Sequence, residues 1–226
     1  MSPEPLRLRG RAAAPGLAAG PLAREAAATD ESALPGSREA ERAALKHAID
    51  TAGAELAALA ASETRDAAEI LEFQREMLGD EDLSAPAFAE VEAGASALRA
   101  WKSALDAQIA DYSAAGDEYF RARSADLVDL RDRVLRLISG NGQSASALPD
   151  KAILVADDLA PSRFLEIDWK RSSGIALTAG SASSHVAMLA RARGVPMVVG
   201  LGEIPAEDGA LILLDGEQGA IEIAPS

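Results

Sequence analysis

The chain has 226 residues, of which 48% are hydrophobic and 26% charged, the profile of a protein with a sizeable buried core. Its net charge of −14 disfavours a nucleic-acid binder, which needs a basic face, and suits a basic protein partner instead. With no cysteine there is no disulfide, thiol catalysis or thiolate metal site, which fits a reducing cytoplasm.

In chain order, residues 6–24 read as two short extended runs around the turn pair Pro15-Gly16. The N-terminus has no hydrophobic signal core, and no apolar run approaches the roughly 20 residues that cross a bilayer, so a cytoplasmic protein without membrane insertion is expected.

From about residue 37 to 139 the chain reads as helix. Ser37 precedes an Ala/Leu/Glu/Arg run to residue 62, broken only by Gly53. A second run to Leu78 spaces Ile70, Phe73 and Met77 by three and four, and Gly79 ends it. Ser84 and Pro86 read as the next helix start. Leu98, Trp101, Leu105 and Ile109 form one stripe, and Leu127, Leu130, Val134 and Leu137 another, closed by Gly140. Such stripes bury against each other, predicting an antiparallel helical bundle. Residues 139–150 are a Gly/Ser-rich polar linker.

The last block changes period. Residues 151–156, 174–179, 196–200, 210–215 and 220–224 are short Val/Ile/Leu runs bounded by Gly, Pro or Asp, and read as strands. "PSRFLEID" and "SHVAMLARARG" read as helices between them. The expected architecture is an α/β domain, residues 1–30 and 146–226, with an all-α insertion, residues 31–145.

His185, one of two histidines, falls between "AGSASS" and the start of an amphipathic helix. Unpaired amides and the positive end of a helix dipole favour an anion there. The small residues Gly180, Ser181, Ser183 and Ser184 let backbone approach a phosphate and offer hydroxyl donors, a cradle for a phosphoryl group on the imidazole. A histidine beside a serine cap is also compatible with an ordinary surface residue. No second ligand lies at metal spacing, and no G-x-S-x-G elbow makes "SSH" a hydrolase site.

The stretch "GIALTAGSASSHVAMLARARGVPMVVGLG" resembles the phosphohistidine signature of phosphoenolpyruvate-utilising enzymes, with His185, Ala190, Arg191, Pro196, Val198, Val199 and Gly200 in register. Within that family the likeness is to enzyme I of the sugar phosphotransferase system. "AAAPGLAAGPL", "ILEFQREMLGDEDL", "EVEAGASALRAW", "EYFRARSADLVDLRDRVL" and "ILVADDLAPS" resemble its segments in the same order. The resemblance implies a swivelling phosphohistidine α/β domain with His185 as phosphocarrier, supported by Arg191, Pro196 and Gly200. It also implies that the inserted bundle binds a small HPr-like carrier protein. Glu69, Glu72, Gln74, Glu76 and Met77 on the second helix and Arg123 on the last match its docking surface. From Glu31 to Arg136 there are 22 acidic and 12 basic residues, a net of −10 that suits a basic carrier face.

The sequence departs from the pattern at Ser181, Ser183 and Thr178-Ala179-Gly180, and Gln74 stands where relatives often carry histidine. "FLEIDW" replaces a common Thr-Ala-Gln-Leu, so a hydrogen bond that supports the histidine in relatives is expected to be missing. The resemblance further implies that phosphoenolpyruvate and Mg²⁺ bind a C-terminal domain absent here, leaving no cofactor in this chain. The alternatives are the swivelling domain of another phosphoenolpyruvate-utilising enzyme, a dihydroxyacetone-kinase phosphotransfer subunit, or a non-catalytic module that senses phosphorylation state.

Overall fold

The computed structural model describes residues 5–24, 36–114, 118–140, 148–171 and 173–224, with side chains from 123 onward in the last bundle helix. Most of the expected linker, residues 141–147, lies outside the described residues. The chain divides into two compact units, Met1–Ala26 with Ala145–Ser226, and Ala27–Ser144.

The first unit is built on eight strands and two helices among the described residues. These are β1 (Leu6–Arg9), β2 (Arg11–Ala14), β3 (Leu17–Arg24), β4 (Ile153–Ala156), α6 (Pro161–Glu166), β5 (Gly174–Leu177), α7 (His185–Arg193), β6 (Met197–Val199), β7 (Leu211–Asp215) and β8 (Ala220–Ile223). The sheet order is β1-β8-β7-β3-β4-β5-β6-β2, with β3 to β6 parallel and the flanking pairs antiparallel. The run expected as one strand before Pro15 is two. β1 joins one edge and β2 the other, with only Gly10 between them, whose amide bonds the Gly219 carbonyl at 2.8 Å. One intervening residue forces the two edges together, so the sheet curls on itself.

β4, β5 and β6 are buried almost throughout, which is why they read as continuous apolar runs. One side feeds a core that includes Leu22, Ile153, Val155, Val198, Ile212 and Ile221. On β7 burial alternates: Ile212 and Leu214 point inward while Leu211 and Leu213 are exposed.

The second unit contains α1 (Arg38–Ser62), α2 (Arg65–Leu78), α3 (Glu81–Glu92), α4 (Ala97–Ala114) and α5 (Glu118–Ile138). α1 packs on the other four, and α4 packs on α3 and α5. Trp101 is fully buried between α4 and α5, its indole N–H donating to the Arg131 carbonyl at 3.2 Å.

Two helical expectations are corrected. α3 begins at Glu81, capped by the Asp80 carboxylate, which accepts the Asp82 amide at 3.0 Å. Pro86 sits inside it, on the exposed side with Asp82, so the carbonyl that loses its proline partner can bond water. On α2 the buried stripe is Ala67, Leu71, Gln74 and Leu78, whereas Ile70, Phe73 and Met77 are half-buried. The polar Gln74 takes a core position because Asp129 on α5 receives its amide at 2.9 Å.

Among the described residues no helix is long and apolar enough to cross a membrane.

Candidate active site

β5 delivers the chain to the loop before α7, and the loop's backbone is tied down on several sides. Beyond the strand, the Thr178 and Ala179 amides still bond the Ala156 and Asp157 carbonyls, each at 2.9 Å, and the Thr178 hydroxyl donates to the Asp157 carboxylate at 2.6 Å. The turn after β6 laces onto the same segment: Gly200, Leu201 and Gly202 donate to the carbonyls of Ala179, Leu177 and Thr178.

Gly180 has φ +80°, a left-handed conformation that disfavours side chains. A Cβ there would come within 3.2 Å of the Asp158 carboxylate and 3.3 Å of Leu177. Asp158 lies beside Gly180 and is partly exposed. Its partial burial raises its pKa above the ordinary carboxylate value, partly opposed by the Leu159 amide that donates to it at 2.8 Å.

His185 is the first residue of α7 and is exposed. Ser184 is the N-cap: its hydroxyl oxygen accepts the Ala187 amide at 3.2 Å and its carbonyl the Met188 amide at 3.1 Å. The His185 and Val186 amides precede the intrahelical ladder and have no partner within the helix. Neither ring nitrogen of His185 has a hydrogen-bond partner among the described residues. In "FLEIDW", Phe164 is fully buried and stacked on Trp169 with ring centroids 5.0 Å apart.

The cradle residues come together. Ser181 and Ser183 are exposed, their hydroxyls 2.9 Å apart, and the Ser183 amide approaches the Ser181 hydroxyl oxygen at 3.3 Å. Arg191, one face around α7, donates to the Ala182 carbonyl at 3.1 Å and to the Ala13 carbonyl of β2, so it bolts the loop to the sheet edge. The Pro196 carbonyl accepts the Ile175 amide at 2.9 Å, joining β5 to the start of β6, and Gly200 turns away at φ +68°. Sequence reasoning missed Arg11 on β2, which donates to the Gly180 carbonyl at 3.2 Å. Its placement depends on β2 pairing with β6, a long-range fact with no local signal. Asp158 was missed likewise.

Of the residues matched to a docking surface, Glu69 and Glu76 are exposed, and Glu72 and Met77 half-buried, along α2. Glu69 pairs with Arg65 at 3.0 Å and Glu72 with Arg75 at 2.9 Å. The Arg123 guanidinium lies 3.7 Å from the Phe73 ring centroid, which joins α5 to this face. Gln74 is corrected: it is fully buried and bonded to Asp129, so it supports the interior and offers no surface to a partner. His47 is exposed in the middle of α1, where helix continues on both sides and no loop surrounds it.

His185 stands at a helix start, behind a serine-rich loop at the carboxyl end of β5, a position where unpaired amides and the helix dipole favour an anion. The family profiles described as PEP-utilising enzyme, N-terminal, and PEP-utilising enzyme, mobile domain, match residues 9–123 and 148–219. The chain belongs to the phosphoenolpyruvate-utilising enzyme family, as an enzyme I-type member.

It is similar to a phosphoenolpyruvate-protein phosphotransferase of Streptomyces coelicolor, 35% identical over 195 residues covering 83% of this chain and 34% of that protein. It is also 34% identical over 184 residues to the dihydroxyacetone kinase phosphoryl donor subunit DhaM of Klebsiella michiganensis, covering 79% of this chain and 38% of that one. A Salmonella typhimurium protein named phosphoenolpyruvate-dependent phosphotransferase system is 32% identical over 74% of this chain and 22% of its own length. The chain thus spans between about a fifth and two fifths of these relatives. Among solved structures, the N-terminal domain of Enzyme 1 - Nitrogen matches with a TM-score of 0.67 and 28% identity, over 97% of this chain and 94% of that one.

Proposed function

We propose that this chain carries a phosphoryl group on His185 and exchanges it with the histidine of a small HPr-like carrier protein that docks on the bundle. The observation that carries the reading is the position of His185, first in α7 behind the Gly180–Ser184 loop, with its ring nitrogens unengaged among the described residues. In the transfer step the N–P bond on the carrier imidazole breaks as one forms to a ring nitrogen of His185. One ring proton passes from His185 to the departing imidazole, directly or through water. Exchange between two imidazoles is nearly balanced in energy, so the protein's task is positioning and charge stabilisation. The loop hydroxyls and the first amides of α7 are the groups placed to meet phosphoryl oxygens.

The docking reading is supported by the acidic and apolar mixture on one face: Glu69, Glu72 and Glu76 beside half-buried Ile70, Phe73 and Met77, with Arg123 over Phe73. Carboxylates at such a rim speed encounter with a basic carrier, and methionine adapts to its surface. The phosphoryl group enters from phosphoenolpyruvate through a separate C-terminal domain, where Mg²⁺ acts, or returns from a phosphorylated carrier. The cytoplasm is the compartment that fits this traffic.

The test is to incubate the purified chain with labelled phosphoenolpyruvate and Mg²⁺ alone, and then with catalytic amounts of a full enzyme I and HPr. Label is expected only in the second mixture. Stoichiometric self-labelling in the first, or none in the second, contradicts the reading.

A further inference from the structure

Two guanidinium groups converge on the loop before His185 in a chain of net charge −14. Arg191 belongs to the signature, but Arg11 lies far upstream, on a strand with no part in it. Neither arginine has a carboxylate within ion-pair distance among the described residues. Arg11 donates through Nη2 to the Gly180 carbonyl at 3.2 Å, and its guanidinium lies over Gly200, 3.7 Å from where a Cβ would stand. Arg191 donates to the Ala182 carbonyl at 3.1 Å.

All peptide bonds of the described residues are trans, so each carbonyl and the amide that follows it point in opposite directions. Holding the Gly180 carbonyl toward Arg11 turns the Ser181 N–H away from Arg11. Holding the Ala182 carbonyl toward Arg191 does the same for the Ser183 N–H, which points back at the Ser181 hydroxyl. The two arginines therefore fix alternate peptide planes of the loop.

We propose that Arg11 is a positioning residue for the phosphoryl state of His185: with Arg191 it sets the loop's peptide planes, and its unpaired charge offsets that of the phosphoryl group. This rests on the phosphohistidine reading above. Arg11 holds the loop before His185 and belongs to the sheet unit, whereas the docking residues lie on α2 and α5 of the bundle, so the loss falls on the transfer step and not on carrier docking.

The experiment compares the full chain with Arg11→Leu, Arg11→Gln and Arg11→Lys, using phosphorylated HPr as donor. In Arg11→Leu the maximal rate of His185 labelling should fall about tenfold, with the KM for carrier unchanged and the melting temperature lowered by no more than about 5 °C, because the lost hydrogen bond is exposed. Arg11→Lys, which keeps the charge and one donor, should recover most of the rate, and Arg11→Gln little. Independently of activity, the Ser181 amide resonance should shift in Arg11→Leu and stay near its wild-type position in Arg11→Lys. A wild-type rate in Arg11→Leu, a rise in KM at constant maximal rate, or loss of rate and melting temperature together with no rescue by lysine overturns the assignment. Failure of the wild-type chain to label at His185 overturns the functional reading beneath it, and is told apart because it appears before any variant is made.

Discussion

Two glycine-to-alanine substitutions should move stability in opposite directions. At Gly180 the backbone is held at φ +80°, and a methyl group would meet the Asp158 carboxylate at 3.2 Å and Leu177 at 3.3 Å. The left-handed conformation costs an L-residue about 1–2 kcal/mol, and the tight contacts add to it. Alanine also restricts the unfolded chain, which offsets about 0.4–1 kcal/mol. The net is a loss of about 1–2 kcal/mol, equivalent to a fall of about 4–8 °C per kcal/mol for a unit of about a hundred residues melting by itself. Gly53 lies inside α1 with nothing within 4 Å of the added carbon. There alanine relieves the glycine entropy cost and should stabilise the bundle by about 0.5–1 kcal/mol. Calorimetric melts of the three proteins, with labelling rates measured at 25 °C, read both effects. Gly180→Ala should melt lower and label more slowly, and Gly53→Ala should melt higher and label normally. An unchanged melt for Gly180→Ala, or a lowered one for Gly53→Ala, would refute the reasoning.

Charge reversal at Glu69 and Glu72 together should slow transfer from phosphorylated HPr about tenfold at low salt, and the deficit should shrink toward 0.5 M salt because screening weakens the attraction between carrier and wild type as well. Labelling by a small phosphoryl donor should not change, and because exposed ion pairs contribute under about 1 kcal/mol the melt should move little; equal loss in both rates would mean that α2 supports the fold or the site directly. Asp158→Asn should raise the melting temperature at neutral pH, and the gain should vanish toward acid. Partial burial raises the folded-state pKa of Asp158, so the stability its protonated form contributes is complete below the unfolded value and lost as pH rises through the folded one, a loss asparagine does not suffer. A gain that grows toward acid would contradict this. Trp101→Phe leaves the Arg131 carbonyl without its indole donor and should destabilise the bundle by about 1–3 kcal/mol in denaturant titration, and a value near zero would contradict the packing described for α4 and α5.

The parts of the fold written in local pattern were legible. β4, β5 and β6 are buried on both faces and so are apolar runs with no charged or polar side chain, and α7 is bracketed by Ser184 and Gly194. What was misread depends on partners distant in sequence. Gln74 looks like surface on α2 until Asp129 on α5 receives its amide. Pro86 looks like a helix start until the exposed side of α3 lets water take the freed carbonyl. The run before Pro15 divides only because its halves join opposite edges of one sheet. The same pairing brings Arg11 to the Gly180 carbonyl, so the signature around His185 marked that histidine and its loop but not the residue holding that loop from β2.

The central claim is that His185 is the phosphoryl carrier, and locating the phosphoryl group tests it most directly. The chain is labelled by phosphorylated HPr, kept at alkaline pH, and read by phosphorus NMR and peptide mass spectrometry alongside His185→Ala. A single acid-labile, base-stable phosphohistidine on residue 185, absent from His185→Ala, is the predicted result. Label that persists in His185→Ala, or that resides on His47, would contradict it.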